Sequence, residues 1–129
     1  MDLALSTLDL REVVGMEPIS ALPGRPRGIQ GVVVYQGEFL PVLAWGDLPG
    51  CSASPTAPTA MAVLRPRLAI PIDRLIGIID VSTATPRAVE EDDPAAAWTG
   101  GLFQLGELEL RLLDPDRLVA LLRRFRDSR

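Results

Sequence analysis

The sequence predicts an all-β (mainly β) protein, with two small β-barrel subdomains packed together and one C-terminal amphipathic helix. Three observations carry this. Short runs of Val, Ile and Leu are cut apart by 11 Gly and 12 Pro, the punctuation of many short strands. Two hairpin-like stretches repeat one pattern, which suggests one sheet unit in each half. Only the C-terminal end keeps a helical spacing of apolar residues.

The elements follow in order. Leu8 to Met16 is an apolar run closed by Glu17-Pro18, and Ile19 to Leu22 is a second short extended piece. Pro23 to Gly28 is a turn or loop. The clearest hairpin joins Ile29–Tyr35 to Glu38–Trp45 through a turn at Gln36-Gly37. Pro41 offers no ladder donor, so its arm is expected at an edge or a bulge. Gly50 to Ala60, rich in Ser, Thr, Ala and Pro, reads as a mobile linker loop. It is expected to divide a first subdomain, 1–50, from a second, 61–113. Met61 to Leu64 and Leu68 to Ile72 are strand candidates, Leu75 to Val81 is another apolar run, and Ala95 to Trp98 reads as a single helical turn. Gly101–Leu105 and Glu107–Leu113 form the second hairpin. A helix over 115–126 follows, with Asp114 as N-cap and Pro115 in its first position. Its stripe of Leu118, Leu121, Leu122 and Phe125 is expected to dock on the β structure.

Composition narrows the function. There is no His, no Lys and no Asn. Imidazole-based triads and zinc sites, the P-loop lysine and Schiff-base chemistry are therefore excluded. Enzyme chemistry would have to run on carboxylates, Arg, Ser/Thr, one Tyr and one Cys, so the composition points away from an enzyme. All 13 cationic side chains are Arg against 17 carboxylates, and the net charge of −4 disfavours broad contact with nucleic acid or anionic lipid. Cys51 is alone and makes no internal disulfide. A basic leader and a membrane-length apolar run are both lacking, so a cytoplasmic protein with no membrane insertion is expected.

Five stretches, in this order, carry a family resemblance. They are Leu10-Arg11-Glu12-Val13-Val14, Gly31-Val32-Val33, Gly37 with Pro41-Val42-Leu43, Ile70-Pro71-Ile72-Asp73 with Leu75 to Ile79, and Leu112-Leu113-Asp114 with Arg117-Leu118. The ordered set resembles the CheW family, the adaptor domain of bacterial chemotaxis signalling. The resemblance implies one CheW-like domain over 1–129 built from two SH3-like barrels. It implies a non-catalytic adaptor, needing no cofactor, that couples the cytoplasmic tip of a chemoreceptor to a CheA-type histidine kinase in a chemotaxis-like or motility pathway. Val34 and Gln36 stand where the family's hairpin has Asn and Arg, and Ala44 stands where it has Asp. The family's Phe-rich first strand has no counterpart before Ala4, so the first barrel is expected to lack a strand and to leave an open edge. That edge motivates the alternative of a divergent module that self-associates into a homo-oligomer or regulates another partner.

The resemblance places partner binding at Leu10, Glu12, Gly31, Gln36 and Gly37. Other clusters read as structural. Glu90-Glu91-Asp92-Asp93 is a solvated acidic loop without EF-hand spacing rather than a metal site, and Asp114 with Asp116 suits a helix start better than acid–base chemistry. Asp73 stabilises a turn, and Cys51 is a spectator thiol. Arg123, Arg124, Arg126 and Arg129 complement the helix C-terminus.

Overall fold

The computed structural model describes residues 2–52 and 57–127. They form nine strands, three single 3-10 turns and one α-helix. The strands are β1 (Asp2–Ala4), β2 (Leu10–Gly15), β3 (Ile29–Tyr35), β4 (Glu38–Leu43), β5 (Ala60–Leu64), β6 (Ala69–Ile72), β7 (Thr85–Arg87), β8 (Thr99–Leu105) and β9 (Leu108–Leu113). The helix, α1, is Pro115–Asp127. One sheet has the order β2-β5-β6-β4-β3 and the other β1-β9-β8-β7.

Both hairpins form where local sequence places them. Gln36 and Gly37 take φ of +50° and +77°, the left-handed pair that a two-residue turn between right-twisting strands requires. In the second hairpin Gly106, at φ +59°, takes the corresponding left-handed position. Pro41 is neither at an edge nor at a bulge, because β4 lies between β6 and β3. It is tolerated because its partner Val32 spends both main-chain groups on Ser20, with N–H and C=O bonds of 2.9 and 2.8 Å. Pro41 therefore occupies a position where β3 asks for no donor, and on its other side β4 meets β6 at a single pair, Val42–Ala69.

The division of the chain differs from the expected boundaries. β5 and β6, in residues 61–72, belong with β2–β4, and the break in sheet membership falls after Ile72 rather than at 50–60. Pairing explains it: β5 satisfies the inner edge of β2 while β6 takes up β5 and reaches β4. The expected missing strand is also corrected. The first sheet has five strands, and Asp2–Ala4 joins the other sheet, parallel to Leu110–Leu112 of β9. Leu75 to Val81 forms no strand up to its last residue, where Val81 begins a 3-10 turn. Leu75, Ile76, Ile78 and Val81 stand exposed, Ile78 at 90%. Ile19 to Leu22 contributes only the isolated Ser20–Val32 bridge. Residues 53–56 of the expected linker, and Arg129, lie outside the described residues.

Two cores form, and β5 feeds both. Met61 and Val63 join Val33, Leu40, Val42 and Ala69 inside the curled first sheet. Ala62 and Leu64 point the other way, into a second cluster that spans the sheets with Ile70, Leu113 and Trp98. Strand alternation thus buries both faces, and the run Met61–Leu64 is apolar throughout for that reason. The helix docks on the shared core as expected, with Leu118 and Leu121 buried and Leu122 and Phe125 packed against it. Asp114 caps it: Oδ1 accepts from the N–H groups of Asp116 and Arg117 at 3.0 and 3.2 Å. Trp45 and Trp98 meet edge to face at 6.1 Å, and each indole donates to a carbonyl, of Pro71 and of Pro49.

The acidic loop is partly structural rather than merely solvated. Asp93 Oδ2 accepts from Arg111 Nη2 at 2.9 Å, and its Oδ1 accepts the Ala95 N–H. Arg111 also donates to Thr99 Oγ1, and its guanidinium lies 5.7 Å from the Trp98 ring centroid. The Ala95 and Arg111 hydrogen bonds hold the Asp93 carboxyl below the usual carboxylate range.

Truncating the two-faced strand is expected to cost about 2–5 kcal/mol at either Met61→Ala or Leu64→Ala, read by urea denaturation, since both side chains are fully buried. A second expectation concerns acid. Because the folded-state pKa of Asp93 is depressed, the unfolded chain binds the extra proton first. The Asp93 contribution is complete above about pH 4 and fades as pH falls through the lower folded value. Asp80, held low by hydrogen bonds from Ser82, acts with the same sign. Asp93→Asn should flatten the acid limb of a pH–stability curve; an unchanged limb would contradict the assignment.

Candidate functional site

β2 and β3 are the two outer strands of the five-stranded sheet, and its curl brings them face to face across a seam. No main-chain ladder crosses this seam among the described residues; side chains do. The Tyr35 hydroxyl donates to Glu12 Oε1. Arg11 Nη2 donates to Gln36 Oε1 at 3.2 Å, and the Arg11 guanidinium stacks 5.7 Å from the Tyr35 ring centroid. Alternation explains why Tyr35 can reach: with Val33 it points to the inside of the curl, and its ring packs on the inner core while its hydroxyl emerges at the rim.

The five residues expected to bind partners do not act as one group. Glu12, Gln36 and Gly37 gather at the seam and the adjoining turn. Leu10 pairs with Leu64 and packs, half-buried, on the shared core. Gly31 is buried, and a Cβ there would lie 2.4 Å from the Ser20 carbonyl oxygen and 2.6 Å from Ile19 Cγ2. Its glycine is required by the Ser20–Val32 bridge, and the position offers no docking surface.

Sequence reasoning missed four neighbours. Arg11 and Tyr35 build the seam. Val34 and Phe39 are register partners on the outer face of the β3–β4 hairpin, 60% and 73% exposed. An exposed apolar pair beside a rigid turn is the kind of surface that marks protein contact. Its signal was present: in Val32–Tyr35 one alternate position must face water, and Phe39 lies opposite it.

The seam is a polar cluster of paired side chains. Glu12 and Gln36 serve there as acceptors, from Tyr35 and Arg11. Among the described residues no group of three His, Cys, Asp or Glu side chains lies close enough to hold a metal ion. Burial pushes the Cys51 thiol pKa up, with Arg111 opposing, so little thiolate forms near neutral pH. No helix is long and apolar enough to cross a membrane.

A family model for the CheW-like domain matches residues 1–123. The chain belongs to the CheW-like domain family. The fold agrees: the scaffolding protein TtCheW from Thermoanaerobacter tengcongensis superposes with a TM-score of 0.72 at 18% identity, over 88% of this chain and 77% of that one. No curated protein matches the sequence. The two sheets are thus the SH3-like subdomains of a CheW-like domain, the first curled from five strands and the second from four. In this CheW-like chain Tyr35, at the end of β3, and the turn residue Gln36 meet β2 through Glu12 and Arg11.

Two variants separate the seam from the core. Tyr35→Phe removes one hydrogen bond and should cost about 0.5–1.5 kcal/mol while raising amide exchange in β2 and β3 selectively. Gly31→Ala should cost about 1–3 kcal/mol in global stability, because the bridging Ser20 backbone must give way. Equal exchange in wild type and Tyr35→Phe would show that the seam is held by something else.

Proposed function

We propose that this chain is a non-catalytic cytoplasmic adaptor that couples the cytoplasmic tip of a chemoreceptor to a CheA-type histidine kinase. The observation that carries the reading is the exposed Val34–Phe39 pair on a CheW-like fold, set against the Gln36-Gly37 turn and the Glu12 seam. Affinity comes from covering the apolar pair. Orientation comes from the polar groups of Arg11, Glu12 and Gln36 beside it. Glu12, Gln36 and Gly37 keep their proposed role in partner binding; Leu10 and Gly31 support the scaffold beneath.

The replacement of the family's Asn and Arg by Val34 and Gln36 favours a second reading, a divergent module that self-associates or serves another partner. The two readings give different results in one experiment. Phe39→Arg should weaken binding to the regulatory domain of a CheA-type kinase by at least about thirtyfold in calorimetry, the loss expected for a central apolar anchor. Its melting temperature should stay near wild type, because the side chain is largely in water. No binding by the wild-type chain, together with a dimer in sedimentation that Phe39→Arg dissociates, would replace the adaptor reading with the second.

A further inference from the structure

A groove of about 720 Å³ runs between the C-terminal half of α1 and the loop that leads into β3. It lies apart from the β2–β3 seam, and the reading below does not depend on the proposed adaptor role. Its floor is apolar: Ile29 from β3, and Val119, Leu122 and Phe125 from the helix. Its rims carry Arg25 and Arg27 on one side and Arg123 and Arg126 on the other. A second hollow continues it past Ile29 and Leu122 toward Arg67.

The walls are built rather than incidental. Gly28, at φ +91°, lets the loop press on the helix; a Cβ there would lie 2.3 Å from Leu122 Cδ2. Asp47 ties the loop down by accepting the Gly28 N–H at 2.9 Å and pairing with Arg25 at 3.4 Å. The Arg27 guanidinium lies 4.0 Å from the Phe125 ring centroid, joining the two rims over the floor. Asp47 and Asp127 offset Arg25 and Arg126. Arg27 and Arg123 stand in no salt bridge among the described residues, so the trough keeps a positive surplus on a chain of net charge −4.

We propose that this groove docks an acidic amphipathic helix of a partner protein, its apolar stripe on the floor and its carboxylates on the arginine rims. Charge complementarity selects the occupant. Guanidinium forks match carboxylates in geometry, and the net negative charge of the rest of the chain disfavours the same ligand elsewhere. A trough along a helix flank, with an apolar floor and charged rims, fits helix-in-groove recognition. A nucleic acid or a lipid surface would use the arginines and leave the apolar floor unfilled.

The test uses the full chain and a fluorescent synthetic helix of about 14 residues, with Leu at i, i+3, i+4 and i+7 and Glu on both flanks. Polarisation should show saturable binding that weakens at least about tenfold in the double variant Arg27→Glu, Arg123→Glu. Arg74→Glu, outside the groove, should bind like wild type. Circular dichroism of each variant should match wild type, and Arg123→Gln alone should give a smaller loss if the double variant is unstable. Equal binding of a peptide with Gln in place of Glu, or no saturable binding, would overturn the proposal. So would capture by phosphatidylglycerol vesicles or a DNA duplex, or concentration-dependent self-association, that the Arg123→Gln variant abolishes.

Discussion

β5 is the strand on which the rest of the molecule depends. Its successive side chains enter different cores: Met61 and Val63 fill the curl of the first sheet, and Ala62 and Leu64 form part of the contact with the second sheet and the helix. A strand buried on both faces can have no solvent side, so it must be paired on both edges, and β2 and β6 supply those pairs. The five-stranded order then places β2 and β3 as the two outer strands, and the curl that encloses the inner core brings them together. The seam that carries Glu12, Tyr35 and Gln36 is thus a consequence of how β5 is buried.

Two glycines show the same economy of space. Gly31 permits the Ser20 backbone to lie against β3, and Gly28 permits the entry loop to lie against Leu122 and Phe125. In both cases a missing Cβ lets main chain approach closely and stiffens a surface above it. The first contact supports the hairpin that presents Val34 and Phe39. The second forms one wall of the arginine-rimmed groove. Gly31 reads as a binding residue from the family resemblance, while physically its missing Cβ makes room for the Ser20 backbone against β3.

Several polar groups in this chain fasten one element to another. Arg111 joins the acidic loop to the β8–β9 hairpin through Asp93 and Thr99, Asp47 secures the loop before β3, and Asp114 starts the helix. With imidazole and amine groups lacking, arginine supplies all the cationic contacts, and its planar fork suits each of them. Among the described residues, the exposed apolar surface includes the Val34–Phe39 pair, the arginine-rimmed trough, Leu8 and the stretch with Leu75, Ile76, Ile78 and Val81.

The features legible in the sequence were those set by neighbours along the chain. The Gln36-Gly37 and Gly106 turns, the Asp114-Pro115 helix start and the Leu118–Phe125 stripe all formed, because turn sterics, capping and helical periodicity act over a few residues. Tertiary structure decided what depends on distant partners. Asp2–Ala4 is too short to announce a strand and becomes one only against β9, more than a hundred residues away. Leu75 to Ile79 has strand composition but pairs with no strand among the described residues, and its Leu75, Ile76 and Ile78 side chains stay exposed. Leu10 and Gly31 carry the right letters for a contact site, yet the register of β2 on β5 and the crossing of Ser20 over β3 turn them inward. Apolar alternation states that a strand has two faces; only the packed sheets determine which face is covered, and therefore which residues remain to meet a partner.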